Sequence, residues 1–293
     1  MPREVVVASG KGGTGKTTVA AFIISHMALQ GGNVLGVDAD VEAPDLIIAL
    51  GGGEILSRNP VYESEVAVID YDKCTACGAC RDICQFGAVE WDDRPIVISE
   101  LCEGCMACKY VCNYDAIRKK VVKTGEIVTV KSKYGKIITG RLELGRKHSG
   151  KMVDLLRGKA KTEEHPDVIV VDAAAGTGCP VISSIVGADL LVIVLEPTRY
   201  SLLSAQKIMD IGRMFNIEMG AVINKYNINP SYIVDIEEWA RRNEIDVLGT
   251  IPYDEVVVEA YVNMVGLIEY APNSDIVASL SNIADRIYKM LGV

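Results

Sequence analysis

The chain has 293 residues, enough for one large domain or two smaller ones with a full core, and at 49% hydrophobic it is not a disordered protein. A formal net charge of −9 disfavours general binding to nucleic acid or to an anionic membrane, and the apolar runs are of strand length, short of the ~20 residues a span needs. Met1 to Glu4 is short and polar, so a cytoplasmic location is expected, and nine cysteines there point to metal or redox use rather than a disulfide scaffold.

The apolar β-branched run Val5-Val6-Val7 leads through Ala8 and Ser9 into Gly10-Lys11-Gly12-Gly13-Thr14-Gly15-Lys16-Thr17-Thr18, and a helix-compatible segment, Val19 to Gln30, follows. Strand, glycine-rich turn and helix in that order make a phosphate-binding loop. The peptide N–H groups of Gly12, Gly13 and Thr14 can curl inward, and Gly15 lets the backbone approach a phosphate. The helix starting near Lys16 adds its positive end. Lys16 neutralises the β- and γ-phosphates in this reading, Thr17 is a Mg²⁺ ligand and Thr18 a further phosphate donor.

After the helix stop at Gly31-Gly32, Asn33 to Val37 reads as a buried strand that delivers Asp38 and Asp40 to its carboxyl end, where ligands of parallel α/β sheets sit. Two carboxylates beside a Mg²⁺-nucleotide site can hold the ion's water shell and orient an attacking water. Ala43 to Leu50 predicts a short helix with Pro44 in its first turn.

A new composition begins near Ser57. Cys74-x₂-Cys77-x₂-Cys80-x₃-Cys84 is repeated, 28 residues on, as Cys102-x₂-Cys105-x₂-Cys108-x₃-Cys112. This is the pattern of a two-cluster ferredoxin, in which three close thiolates wrap one cubane and the fourth is carried to the other. It assigns Cys74, Cys77, Cys80 and Cys112 to one [4Fe-4S] cluster and Cys102, Cys105, Cys108 and Cys84 to a second. Zinc, the alternative, expects pairs of Cys-x₂-Cys around a single tetrahedral ion. Gln85 and Asn113 stand where such runs usually carry proline, and each restores a backbone N–H near a sulfur.

Charge is unevenly placed: residues 70–118 carry a net −4, residues 119–161 a net +10 and the remainder −15. The basic stretch is either a solvated face or a dock for an acidic partner. Within it, Glu126 to Val130 and Lys136 to Leu142 predict strands about the turn Tyr134-Gly135, and a helix starts near Ser149. Asp167 to Asp172 is the next buried strand, ending in Asp172, an expected Mg²⁺-site carboxylate. Leu190 to Leu195, Met219 to Lys225 and Val247 to Ile251 complete the strands, with a helix over Ser201 to Phe215. Cys179, before Pro180, reads as a small buried residue rather than a ligand. His26 falls inside the first helix as a structural residue; His148 and His165 lie in polar loops. The C-terminal helix, Asp275 to Leu291, has only Arg286 and Lys289 as cations, too few for a membrane anchor.

With Lys11 inside the phosphate loop, the chain resembles the MinD/ParA class of ATPases, which includes the nitrogenase iron protein and Mrp-type iron–sulfur carriers. The resemblance implies a homodimer with ATP at its interface, Lys11 reaching the partner's nucleotide, and Asp40 nearest the attacking water. It also implies that Gly176 offers its N–H to the γ-phosphate, that Asn224 faces the adenine edge, and that the loop from Pro252 covers the base. Ala173-Ala174-Ala175-Gly176 lacks the proline of the family's Asp-x-Pro-x-Gly. The expected architecture is a doubly wound, mostly parallel α/β ATPase domain over residues 1–57 and 119–293, with an α+β ferredoxin-like insert over residues 58–118. Two functions fit: ATP-gated electron transfer to a redox client, or a carrier or scaffold for assembling iron–sulfur or other metal cofactors.

Overall fold

The computed structural model describes residues 2–146, 149–163 and 165–292; His148 lies outside them. A nine-stranded sheet runs, edge to edge, Asp246–Ile251, Glu218–Asn224, Leu190–Leu195, Arg3–Ser9, Val168–Ala175, Val34–Asp38, Gly135–Leu142, Gly125–Ser132 and Glu54–Val61. The pairings from Asp246–Ile251 through Gly135–Leu142 are all parallel. Strands covered on both faces carry unbroken apolar runs rather than alternation. Val5, Val6, Val7 and Ala8 have no exposed surface, and neither do Val170, Val171 and Ile193.

The first helix, Lys16–Leu29, packs on the central strands and on the C-terminal helix Asp275–Leu291. Buried on most sides, it reads as apolar throughout, and fully burying a side chain such as Phe22 contributes about 2–3 kcal/mol. The C-terminal helix buries Ile276, Leu280, Ile283, Ile287 and Leu291 at helical spacing, and Arg286 is spent on the carbonyls of Val247 and Leu248. His26 is structural as expected: it stacks on Phe22 and bonds Asp285 at 2.8 Å. Beneath the helix Cys179–Ile185, Arg157 donates to the carbonyls of Ser183 and Val186 and to Glu4 Oε1, tying that helix to the first strand.

The chain divides into two compact units, one of Met1–Arg58, Val128–Arg141 and Ser149–Val293, the other of Asn59–Ile127 and Leu142–His148. The second is wider than the stretch 58–118 marked by composition, because Ile117–Val122 pairs with Ser64–Ile69 in an antiparallel ladder. A second ladder joins Val89–Trp91 to Pro95–Val97. The 28-residue offset carries Ile69 onto Val97 and Val89 onto Ile117, so the pair Ile69–Ile117 becomes the pair Val97–Val89. The cysteine repeat is thus also a structural repeat within this unit. The predicted helix Ala43 to Leu50 shrinks to Leu46–Ala49, since Pro44 precedes the helical turn instead of opening it.

Candidate functional site

At the carboxyl ends of the central strands a cavity of about 410 Å³ is lined by Gly12, Gly13, Gly15, Lys16, Thr17, Thr18, Asp40, Asn224 and Pro252, all expected from sequence. This is the size of a small-molecule site. Gly15 has φ +89°, and a Cβ there would lie 2.2 Å from Asn224 Nδ2, so only glycine fits. Asn224 Nδ2 donates to the Thr14 carbonyl at 2.7 Å, and its Oδ1 accepts from Lys225 N at 2.9 Å. The amide expected at the adenine edge is therefore also a clamp on the phosphate loop.

Behind the lining lie Thr14, Asp38 and Asp172, all buried. Asp38 and Asp172 sit in register on adjacent parallel strands. Asp38 accepts from the backbone N–H groups of Asp40 and Leu46. Lys16 Nζ lies 3.4 Å from Asp172 Oδ1, 3.7 Å from Asp40 Oδ2 and 3.3 Å from Thr17 Oγ1. Burial pushes the Asp172 carboxyl up to about 6 against the pull of Lys16, and pushes Asp38 well above its ordinary range, with the neighbouring charge of Asp172 adding to it. Burial would lower Lys16, but Asp172, Asp40, Asp45 and Asp38 outweigh it and hold its pKa up. Asp172 Oδ2 and Thr14 Oγ1 are buried without a hydrogen-bond partner. An unpaired carboxylate oxygen beside a cationic lysine is what a hydrated Mg²⁺ would satisfy, and an unpaired hydroxyl can donate to a phosphate.

Three features were not read from sequence. Asp45, which precedes the helix Leu46–Ala49, lines the cavity and interacts with Thr17 and Lys16; burial raises its pKa. Tyr261 lines the cavity with Tyr253, Val257, Val258, Ile276 and Leu280 as an apolar wall. Glu196 binds both Lys11 and Lys225. The N-cap preference for Asp was the one available signal for Asp45. Gly176, at φ +98°, is not in the lining, and its N–H is donated to the Ser9 carbonyl at 3.0 Å. Offering that N–H to a γ-phosphate requires its release.

In the second unit, among the described residues, no three His, Cys, Asp or Glu side chains form a group able to hold a metal ion. The cysteines surround cavities instead. One is lined by Cys74, Cys77, Cys80 and Cys112, the other by Cys84, Cys102, Cys105 and Cys108. Left-handed residues recur at the same offset: Ala76 with Gly104, Gly78 with Met106, and Gly87 with Asp115. Three of these are neither glycine nor asparagine, and strain of this kind gathers where a loop is held to a task. Ala88 N and Ala116 N donate to the sulfurs of Cys84 and Cys112 at 3.3 and 3.4 Å, and Ala67 N to that of Cys102 at 3.4 Å. Burial pushes the Cys80 thiol up, and that of Cys108 to about 11. Cys77 and Cys105 are exposed; Cys179, at the start of the helix Cys179–Ile185, is exposed too and not the buried residue its sequence context suggested.

The model of the CobQ/CobB/MinD/ParA nucleotide-binding domain matches residues 5–267. The chain belongs to this family. Two uncharacterized proteins of Methanocaldococcus jannaschii are each 29% identical to it, one over 95% of this chain and 96% of its own, the other over 98% and 97%. A protein of that organism described as ATP-binding is 23% identical over 98% of this chain and 88% of its own. Among solved structures, the septum site-determining protein MinD of Pyrococcus horikoshii with Mg-ADP superposes with a TM-score of 0.62 at 18% identity, covering 100% of this chain and 98% of that one. MinD in the MinC:MinD complex of Aquifex aeolicus gives 0.60 at 18%, covering 98% and 96%. At these identities the structural likeness is one of fold. As a MinD/ParA-type protein with this loop, the chain is an ATPase.

Proposed function

We propose that this MinD/ParA-type ATPase works as a homodimer that couples its nucleotide state to electron transfer through two [4Fe-4S] clusters. One observation carries the reading: eight cysteines divide between two cavities, each taking three from one run and the fourth from the other. A single ion draws its donors to a point, whereas a cubane keeps four thiolates around a volume, and the cysteines here enclose volumes. The bound clusters would supply one-electron carriers. The protein's part is to stabilise thiolates through the N–H groups of Ala67, Ala88 and Ala116 and to keep Cys80 and Cys108 dry, which shifts potential. The exposed Cys77 and Cys105 leave each set approachable by a redox client.

At the nucleotide site, the N–H groups of Gly12 to Gly15 and Lys16 would hold the phosphates, with Thr18 as a further donor. Thr17, Asp38 and Asp172 would hold Mg²⁺ and its water shell. Asp40 orients the attacking water, Asn224 and Pro252 border the base, and Lys11 crosses to the partner's nucleotide. The exposure of Cys77 and Cys105 also suits a second reading, a carrier or scaffold for cofactor assembly. The hydrogen-bonded sulfurs and the enclosed, paired sets favour retention. Iron and acid-labile sulfide analysis of anaerobically purified protein tests the proposal, with about eight of each per chain expected; zinc without sulfide would overturn it.

A further inference from the structure

Glu196 follows the strand Leu190–Leu195, next to the strand that opens into the phosphate loop. Its backbone N–H donates to Ser201 Oγ at 2.9 Å, and the neighbouring Pro197 carbonyl accepts from Asn229 Nδ2 at 3.1 Å, so the residue is fixed on both sides. The side chain is 13% exposed and carries two lysines: Oε2 pairs with Lys11, and Oε1 accepts from Lys225 Nζ at 2.7 Å. Lys225 Nζ also donates to the Gly13 carbonyl at 2.8 Å. Although burial opposes it, the two lysines keep the Glu196 carboxyl below its ordinary range. Lys16 has its own carboxylates in Asp172 and Asp40, so Glu196 is the counter-ion of the other two.

We propose that Glu196 is a positioning residue that holds Lys11 within its own subunit and thereby sets how readily two copies close over nucleotide. This rests on the reading that Lys11 acts on the partner's nucleotide. An ammonium that pairs with Glu196 must leave it to reach a phosphate across the interface, so the carboxylate competes with the partner. Lys225 makes the exchange feasible, because it stays on Glu196 and no half-buried carboxylate is stranded when Lys11 departs.

The test is sedimentation velocity of wild type, Glu196→Gln, Glu196→Asp and Glu196→Gln with Lys11→Met, each with Mg²⁺ and a non-hydrolysable ATP analogue. Nucleotide affinity is measured alongside at protein concentrations too dilute for association. Glu196→Gln is expected to dimerise at about five-fold lower protein concentration, the scale of two partly exposed ion pairs, one released in each subunit. Glu196→Asp returns toward wild type, Lys11→Met erases the gain, and monomer affinity for nucleotide stays within about two-fold. Equal or weaker dimerisation of Glu196→Gln, with wild type dimeric, overturns the proposal. Should that variant fail to fold, Lys225→Met leaves Glu196 to Lys11 alone and must shift dimerisation to higher concentration; no shift overturns it as well. A wild type that binds the analogue and stays monomeric refutes the trans role of Lys11 itself, a separate failure that takes this proposal with it.

Discussion

Replacing Asp172 with Asn should make the nucleotide-free protein more stable while disabling its response to Mg²⁺. Asp172 is fully buried beside the equally buried Asp38, and burial lifts its pKa from 3.8 to about 6. Its folded-state pKa lies above the unfolded value, so folding takes up a proton between about pH 4 and 6. Stability therefore falls as pH rises through that window, and above it the ionised carboxylate costs on the order of 2–3 kcal/mol. Asn escapes that cost, and Lys16 is not stranded, because Asp40 lies 3.7 Å away and Asp45 and Asp38 also face it. Thermal unfolding of metal-free, nucleotide-free protein at pH 7.5 should show a rise of roughly 5 °C for Asp172→Asn, shrinking as pH approaches 4. Mg²⁺ should then no longer strengthen nucleotide binding. A lower melting temperature for the variant at pH 7.5, or an unchanged pH dependence, would refute the reasoning.

The proposed cluster assignment predicts that Cys84→Ala damages the cluster assigned to Cys102, Cys105 and Cys108 and spares the other, which iron and sulfide analysis with low-temperature EPR of the reduced protein would register; equal loss from both would refute the swapped assignment. Lys16→Ala should abolish nucleotide binding and Lys11→Ala should weaken dimerisation by analytical ultracentrifugation. Asp40→Ala should slow ATP hydrolysis at least ten-fold while retaining ATP, since a water-orienting carboxylate acts mainly in the transition state. Unchanged turnover in Asp40→Ala would remove it from that role.

The phosphate loop was legible because its chemistry depends on a short spacing: Gly12 to Thr18 is local. So were strands covered on both faces, such as Leu190–Leu195, and the helix Asp275–Leu291, whose apolar residues keep one period. Strands with little burial were not. Glu54–Val61 carries exposed residues along most of its length and gave no period to read. The edge of the second unit was missed for a related reason: Ile117–Val122 belongs with Ser64–Ile69 only through a long-range ladder. Glu196 and Lys225 reach Lys11 only because parallel strands from distant parts of the chain end side by side. In the basic stretch, Lys119, Lys123, Lys133, Arg157 and Lys161 are each paired with a glutamate, pairings that composition does not reveal.

The central claim, that nucleotide state governs electron transfer through the clusters, is tested most directly by spectroelectrochemical titration of the intact protein without nucleotide, with Mg²⁺-ADP, and with a non-hydrolysable ATP analogue. The segments joining the second unit to the first follow Asp38 and Asp40 on one side and precede the Asp172 strand on the other. Coupling of ~1–3 kcal/mol between linked sites predicts that the analogue shifts a one-electron potential by on the order of 50–130 mV relative to Mg²⁺-ADP. Identical potentials in all three states, with identical rates of electron transfer to an acceptor, would contradict the claim and leave cofactor assembly as the better reading.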